Sequence, residues 1–378
     1  MAPKTTSPGM TTRSSSSSSS SSKGNTKRKP VKPPNDALLA QQYGGGHVGG
    51  WVDRLPASVI PYVQLARLSP PAGLLLIFFP HFFGILHAAI VLLSAAAAIL
   101  RACAITLAGS FFSSNAAHAW NDLVDAPMDR QVARTRGRPV ARGAISPLGA
   151  FLFAVSQALL AAGRRGVLAA CYALPNILAI IYYPYAKRHT HLAQVVLGFC
   201  LSYGVVMGSC AMGLIPVVVH IPTVCLMGAC LLWTVLYDTV YAHQDVEDDR
   251  KLGLKSTAVL LGDRTKPALW CVLGAMLALL AVPGRAAGMA PPYYLFTLGG
   301  CLASLGTMVH RVDLKEPASC WWWFRYSFWL AGGSIAAGLV SEYLIRAAPW
   351  AELCKPWLHL FPKLPLSLAA PDVESVTF

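Results

Sequence analysis

The sequence predicts an all-α integral membrane protein with about nine transmembrane helices, and three observations carry that expectation. Of its 378 residues 54% are hydrophobic and only 13% charged, against roughly a quarter charged in soluble domains. Apolar runs of about 20 residues, long enough to span a bilayer, recur near 72–92, 94–120, 146–163, 167–183, 192–212, 217–242, 267–283, 291–309 and 327–346. Lys and Arg are also shared unequally between the connecting loops. The even-numbered loops hold Arg130, Arg134, Arg136, Arg138 and Arg142, then Lys187 and Arg188, then Arg250, Lys251, Lys255, Arg264 and Lys266, then Arg311, Lys315 and Arg325. The odd-numbered ones hold Arg164, Arg165 and Arg285. By the positive-inside rule the even loops and the N-terminal tail face the cytoplasm or its equivalent.

Three segments follow from composition. Residues 1–54 form a basic, Ser-rich tail, with a polyserine run at Ser14–Ser22 followed by Lys23, Lys27, Arg28, Lys29 and Lys32. Such a stretch has too little apolar surface to offset the entropy of ordering and is expected to be disordered. It lacks the apolar face of a mitochondrial transit peptide and reads as a basic tail near anionic headgroups. An endoplasmic reticulum or other endomembrane location follows, with the mitochondrial inner membrane as the alternative. Residues 55–346 make one helical membrane domain, and 347–378, with Pro349, Pro356, Pro362, Pro365 and Pro371, a loose tail.

The net charge of +14 does not imply nucleic acid as a partner, because the cations flank spans and acidic clusters instead of forming a stripe with aromatics. The ten cysteines lie mostly inside apolar runs without a C-x-x-C pair, so they read as small hydrophobes, not as a disulfide framework.

Eight of the 17 acidic residues fall in two short clusters, Asp122, Asp125 and Asp129, then Asp238, Asp245, Glu247, Asp248 and Asp249. The clusters end the second and sixth spans, on one side of the membrane, a weak hint of internal duplication. On a helix the offsets of the first cluster put its carboxylates on one face, where they can converge on a hard cation beside the amide of Asn121. Pro127 removes a helical hydrogen bond and leaves open whether Asp129 stays on that helix. In the second cluster Asp238, Asp245 and Asp249 again share a face, and Asp238 falls inside an apolar run, where an ionisable residue is a functional candidate. Mg²⁺ is the natural cation, because it takes one or two carboxylates plus phosphate oxygens. Two such ions between the clusters suit a diphosphate, with the arginines of 130–138 beside it for bidentate contacts. The stretch Tyr183-Pro-Tyr185-Ala-Lys187-Arg188 offers another cation on the same face, at the end of the fourth span.

These stretches resemble the UbiA superfamily of intramembrane prenyltransferases, on N-D-x-x-D-x-x-x-D at 121–129, R-x-V-x-R-T-x-x-R-P at 130–139, Y-x-x-x-K at 183–187 and D-T-x-Y-A-x-x-D-x-x-x-D at 238–249. The resemblance implies nine helices around a central cavity open to lipid, capped by loops over the diphosphate. It implies Asp122, Asp125, Asp129, Asp245 and Asp249 as Mg²⁺ ligands, and Arg134, Arg138 and Lys187 as diphosphate-binding, with Asn121 and Arg188 beside them. The implied chemistry ionises an allylic diphosphate to a carbocation that an aromatic ring then attacks. In it Asp238 orients or deprotonates the acceptor. Tyr183, Tyr237 and Tyr241 face the cation or anchor at the interface, and His243 assists or bonds locally.

The 4-hydroxybenzoate polyprenyltransferases of ubiquinone synthesis usually begin their first helix R-x-D-K-P-x-G, whereas this chain has Arg67-Leu68-Ser69-Pro70-Pro71-Ala72-Gly73. Loss of the Asp-Lys pair, with Phe79-Pro80-His81-Phe82-Phe83-Gly84 and Trp120, resembles instead the fungal aromatic prenyltransferases of meroterpenoid pathways. That implies a farnesyl donor and an aromatic acceptor, with Arg67 pairing an acceptor carboxylate or snorkelling. The ubiquinone enzyme is the alternative. A divalent-cation transporter would place its acids nearer the bilayer midplane, and a soluble isoprenyl diphosphate synthase would have amphipathic helices with charged outer faces.

Overall fold

The computed structural model describes residues 50–347, apart from 70, 133, 164–166 and 216–219. Most of the expected N-terminal tail, the C-terminal stretch from 348 onward, and Arg164 and Arg165 lie outside the described residues. Among the described residues there are helices and turns and no strand. In chain order they are α1 (Ile60–Leu65), α2 (Ala72–Leu92), α3 (Ala96–Asp129), α4 (Pro147–Ala162), α5 (Val167–His189), α6 (Ala193–Ser202) and α7 (Gly204–Ala211). There follow α8 (Ile221–Ala242), α9 (Val246–Lys251), α10 (Thr257–Leu261), α11 (Thr265–Ala286), α12 (Pro291–Tyr294), α13 (Gly300–Arg311) and α14 (Pro317–Ala347).

All nine apolar runs are therefore helical over most of their described residues. Six helical rods are long and apolar enough to cross a membrane, by length and composition: Gly73–Leu92, Ala96–Asp129, Ala193–Ala211, Ile221–Lys251, Thr257–Ala286 and Pro317–Ala347. The other three runs depart from a plain span. The helix α4 has 16 residues, α5 carries Pro175 and Pro184 and a cationic end, and a π-type turn at Leu295–Gly299 separates α12 from α13. Outward-facing positions are apolar, with Leu100, Leu152, Leu159, Leu295 and Leu330 all exposed. A soluble synthase would place charge there. The nine described cysteines are all free, as their apolar settings predict.

Ser146 caps α4 by accepting from the Gly149 N–H at 3.1 Å, and Pro147 follows at the first helical position, where a missing N–H costs nothing. Helix α3 runs through Pro127 to Asp129, so the first acidic cluster stays on one helix. Neighbouring groups in a membrane bundle commonly re-satisfy what a proline frees.

Helices α2 and α7 meet at glycines. A Cβ on Gly84 would run into the Val205 backbone, and one on Gly208 into the His81 backbone. The Ser209 hydroxyl donates to the Gly84 carbonyl at 3.1 Å, a crossing of the small-residue kind on which membrane helices depend. Gly208→Ala is expected to lower stability by roughly 1–3 kcal/mol, the usual cost of overpacking. Thermal unfolding in detergent reads this, and an unchanged midpoint would count against the close crossing.

An aromatic cluster joins α2, α8 and α14. Trp233 stacks on Phe328 at 5.7 Å, and Phe79 meets both rings edge-on at 6.3 and 5.6 Å. Tyr237 and Tyr241 extend the cluster to Phe324 at 5.7 and 4.7 Å. The extension ends at the cavity described next.

Candidate active site

A cavity of about 260 Å³ opens among the ends of α2, α3, α5, α6 and α8. Asn121, Asp125 and Asp129 from α3 line it, as do Asp238 and Tyr241 from α8, with Asp245 and Asp249 just beyond. Arg134 and Arg138 reach it from the loop after α3, Tyr183 and Lys187 from α5, and Arg67 from the segment before α2. The two acidic clusters, more than a hundred residues apart, thus share one pocket on one side of the molecule.

Each cluster is held by arginines. The guanidinium of Arg134 donates from Nε to both Asp245 oxygens at 2.9 and 3.1 Å, makes a further bond from Nη2, and donates from Nη1 to the Tyr241 hydroxyl at 2.8 Å. Its carbon lies 5.1 Å from the Tyr241 ring centre. Arg138 pairs with Asp129 at 2.8 Å and with Asp122 at 3.4 Å. Burial opposes the charge on both arginines, but Asp245 beside Arg134, and Asp122 with Asp129 beside Arg138, more than offset it. Both groups stay above their ordinary pKa. The loop that presents them is folded on itself: Arg130 Nε donates to the Ala141 carbonyl at 3.1 Å, and the Ala144 N–H to that of Pro139 at 2.9 Å.

A second loop is stitched to the end of α5. The Lys255 N–H donates to the Lys187 carbonyl at 2.8 Å, and Lys255 Nζ to that of His189 at 3.2 Å. Gln194 Oε1 accepts from the Thr257 N–H and hydroxyl, both at 2.9 Å. The Gln194 side chain also engages Asp238.

Some expected residues sit elsewhere. Arg188 is not among the residues that line the cavity: it donates to the Val124 carbonyl at 3.1 Å and lies over the Tyr185 ring at 5.3 Å. Consecutive helical residues diverge by about 100°, so with Lys187 facing the pocket Arg188 faces away. His243 contacts the Thr265 hydroxyl at 3.1 Å and does not line the cavity. Asp122 has 0% exposure and lies behind Arg67 and Arg138. Conversely, His81, His118, Asn176 and Phe324 line the cavity without having been singled out. His118 precedes Asp125 by seven residues on α3, a same-face spacing that makes it readable from sequence.

The donor set fits a hard cation and an anion together. Asp125 Oδ1 and Arg138 Nε are buried without a hydrogen-bond partner, an acceptor and a donor at one pocket. Buried polar groups are normally satisfied, so both point to a ligand. Among the described residues no three His, Cys, Asp or Glu side chains form a ready metal cage.

Residues 77–332 match the UbiA prenyltransferase family. The chain belongs to that family. It is 35% identical to the mitochondrial 4-hydroxybenzoate polyprenyltransferase of Saccharomyces cerevisiae, over 79% of this chain and 80% of that one. It is likewise 35% identical to the prenyltransferase stbC of Stachybotrys bisbyi, over 77% of this chain and 89% of the relative. The fold is similar to that of a UbiA homologue from Archaeoglobus fulgidus bound to GPP and Mg²⁺, with a TM-score of 0.55 at 18% identity, covering 76% of this chain and 99% of that one. The UbiA chain is thus a multi-pass membrane prenyltransferase, and the ion-transport reading falls away.

Proposed function

We propose that this UbiA protein transfers a farnesyl group from its diphosphate to an aromatic acceptor, with Mg²⁺, in a fungal meroterpenoid pathway. The observation that supports it best is the shared pocket, in which two carboxylate clusters, Arg134, Arg138 and Lys187 face apolar residues such as Ile177, Ile180 and Leu201. A diphosphate sits at the charged end and a prenyl chain along the apolar wall. Asp125 and Asn121 would hold one cation and Asp249 the other, with Asp129 and Asp245 as further carboxylates beside them. Magnesium, when bound, supplies positive charge against the departing diphosphate.

The residues of the chain do the rest. Arg134, Arg138 and Lys187 neutralise the diphosphate as it leaves with the electron pair of the allylic C–O bond. Tyr183, Tyr237 and Tyr241 turn ring faces toward the cationic carbon. A ring carbon of the acceptor bonds to that carbon, and the electron pair of the ring C–H bond then returns to the ring as its proton passes to the released diphosphate. Asp238 holds the acceptor hydroxyl and takes its proton, while Arg67 pairs with an acceptor carboxylate. All nine apolar runs cross the membrane, which is endoplasmic reticulum or another endomembrane.

The likeness to the yeast mitochondrial enzyme favours a second reading, a 4-hydroxybenzoate polyprenyltransferase of ubiquinone synthesis in the mitochondrial inner membrane. Incubating purified protein with Mg²⁺ separates the two, by pairing farnesyl diphosphate with phenolic polyketide acids and long-chain polyprenyl diphosphates with 4-hydroxybenzoate. Farnesylated polyketide supports the first reading, and turnover confined to long-chain donors with 4-hydroxybenzoate replaces it with the second. Chelation by EDTA is expected to abolish product in either case, with recovery on adding Mg²⁺. Activity that survives chelation would remove the metal from the proposal.

A further inference from the structure

We infer that Asp122 is a positioning residue that holds Arg67 and Arg138 in the cavity wall, and that it does not ligate the metal. The inference rests on the reading of the pocket as a prenyl-diphosphate site.

Asp122 is fully buried and is not among the residues that line the cavity, although Asn121, Asp125 and Asp129 of the same helix are. One of its oxygens takes both cations: Asp122 Oδ1 lies 2.6 Å from Arg67 Nη2 and 3.4 Å from Arg138 Nη1. Both arginines line the cavity, so they stand between Asp122 and the ligand space. They also come from different parts of the chain, Arg67 before α2 and Arg138 after α3. One buried carboxylate therefore ties three segments at a single point.

The backbone agrees with a built contact. Arg67 sits at φ 52°, a left-handed conformation that costs a side-chain-bearing residue free energy and persists where the surroundings over-determine it. The bond to Asp122 is part of that determination. The charge arrangement explains why a carboxylate is needed. Two guanidinium groups facing one anion site repel each other when the site is empty, and an acid behind them offsets this without competing for the anion in front. The three carboxylates of α3 thus divide their work: Asp125 faces the ligand, Asp129 partners Arg138 at the rim, and Asp122 stabilises the wall.

The test uses the full-length protein in detergent and a non-hydrolysable thiodiphosphate analogue of farnesyl diphosphate. Asp122→Asn is expected to weaken analogue binding about 30-fold, the size of effect usual when a buried charge pair loses one partner. At saturating farnesyl diphosphate the Mg²⁺ concentration for half-maximal activity should stay within about twofold of wild type, whereas in Asp125→Asn it should rise well beyond that. Because Asp122→Asn removes a carboxylate from beside two buried cations, the double variant Asp122→Asn/Arg67→Gln, which replaces the pair with neutral side chains, covers the case in which the single variant fails to fold. Its loss of analogue affinity should be smaller than the sum of the two single losses, since Asp122 acts in part through Arg67. A large rise in the Mg²⁺ midpoint of Asp122→Asn, unchanged analogue affinity, or additive losses in the double variant would each overturn the assignment. Wild-type protein that fails to bind the analogue would instead overturn the underlying reading of the pocket.

Discussion

Asp125→Asn is expected to lower prenyl transfer by about 10²–10³-fold or more, the scale set by removing one preorganised charge contact from a reacting site, without unfolding the protein. The substitution keeps the shape of the side chain and its neighbour Asn121, whose amide donates to Asp125 Oδ2 at 3.2 Å. It removes a negative charge that shares a helix face with Asp122 and Asp129, so like-charge repulsion falls and the melting temperature should hold or rise. Asp245→Asn makes the contrasting case. Arg134 loses the partner of its three hydrogen bonds, and breaking a buried pair of this kind costs roughly 2–4 kcal/mol. Activity and stability should fall together there, and apart at Asp125. Kinetics with a melting curve on both variants reads the difference. Equal destabilisation of the two would show that Asp125 is structural.

Asp238→Asn should separate the two halves of the reaction. Removing a general base slows its step by about 10²–10⁴-fold, but breaking the allylic C–O bond depends on the cations around the diphosphate. Transfer to the acceptor is therefore expected to collapse while hydrolysis of the prenyl diphosphate to its alcohol falls far less. The ratio of alcohol to prenylated product, measured by chromatography of a labelled donor, should rise at least tenfold. If alcohol and product fall in step, Asp238 serves ionisation and not the acceptor.

Much of this protein is readable without coordinates, because membrane burial enforces long apolar runs. The helices appear at each of the nine runs, and α3 ends at Asp129, where the first acidic cluster ends. Acids are scarce in such a chain, so Asp125, Asp238 and Asp249 stand out by their rarity. Arg188 shows the limit. Adjacent to Lys187, it has the same charge and the same loop, and only the rotation of α5 decides which of them meets the ligand. Asn176 was hidden for a related reason: a lone polar residue in an apolar run has no partner nearby in sequence to reveal its role.

The sequence by itself determined the lipid-facing helical class, the family, and the pairing of two acid clusters with a basic loop. These follow from local composition and spacing, which hydrophobicity and charge impose residue by residue. Only the tertiary structure decided which members of each cluster face the cavity. Asp122, Asp125 and Asp129 have nearly equivalent helical positions, but the first lies behind Arg67 and Arg138 while the second lines the cavity. That difference depends on side chains arriving from segments dozens of residues away, and no spacing along one helix encodes it.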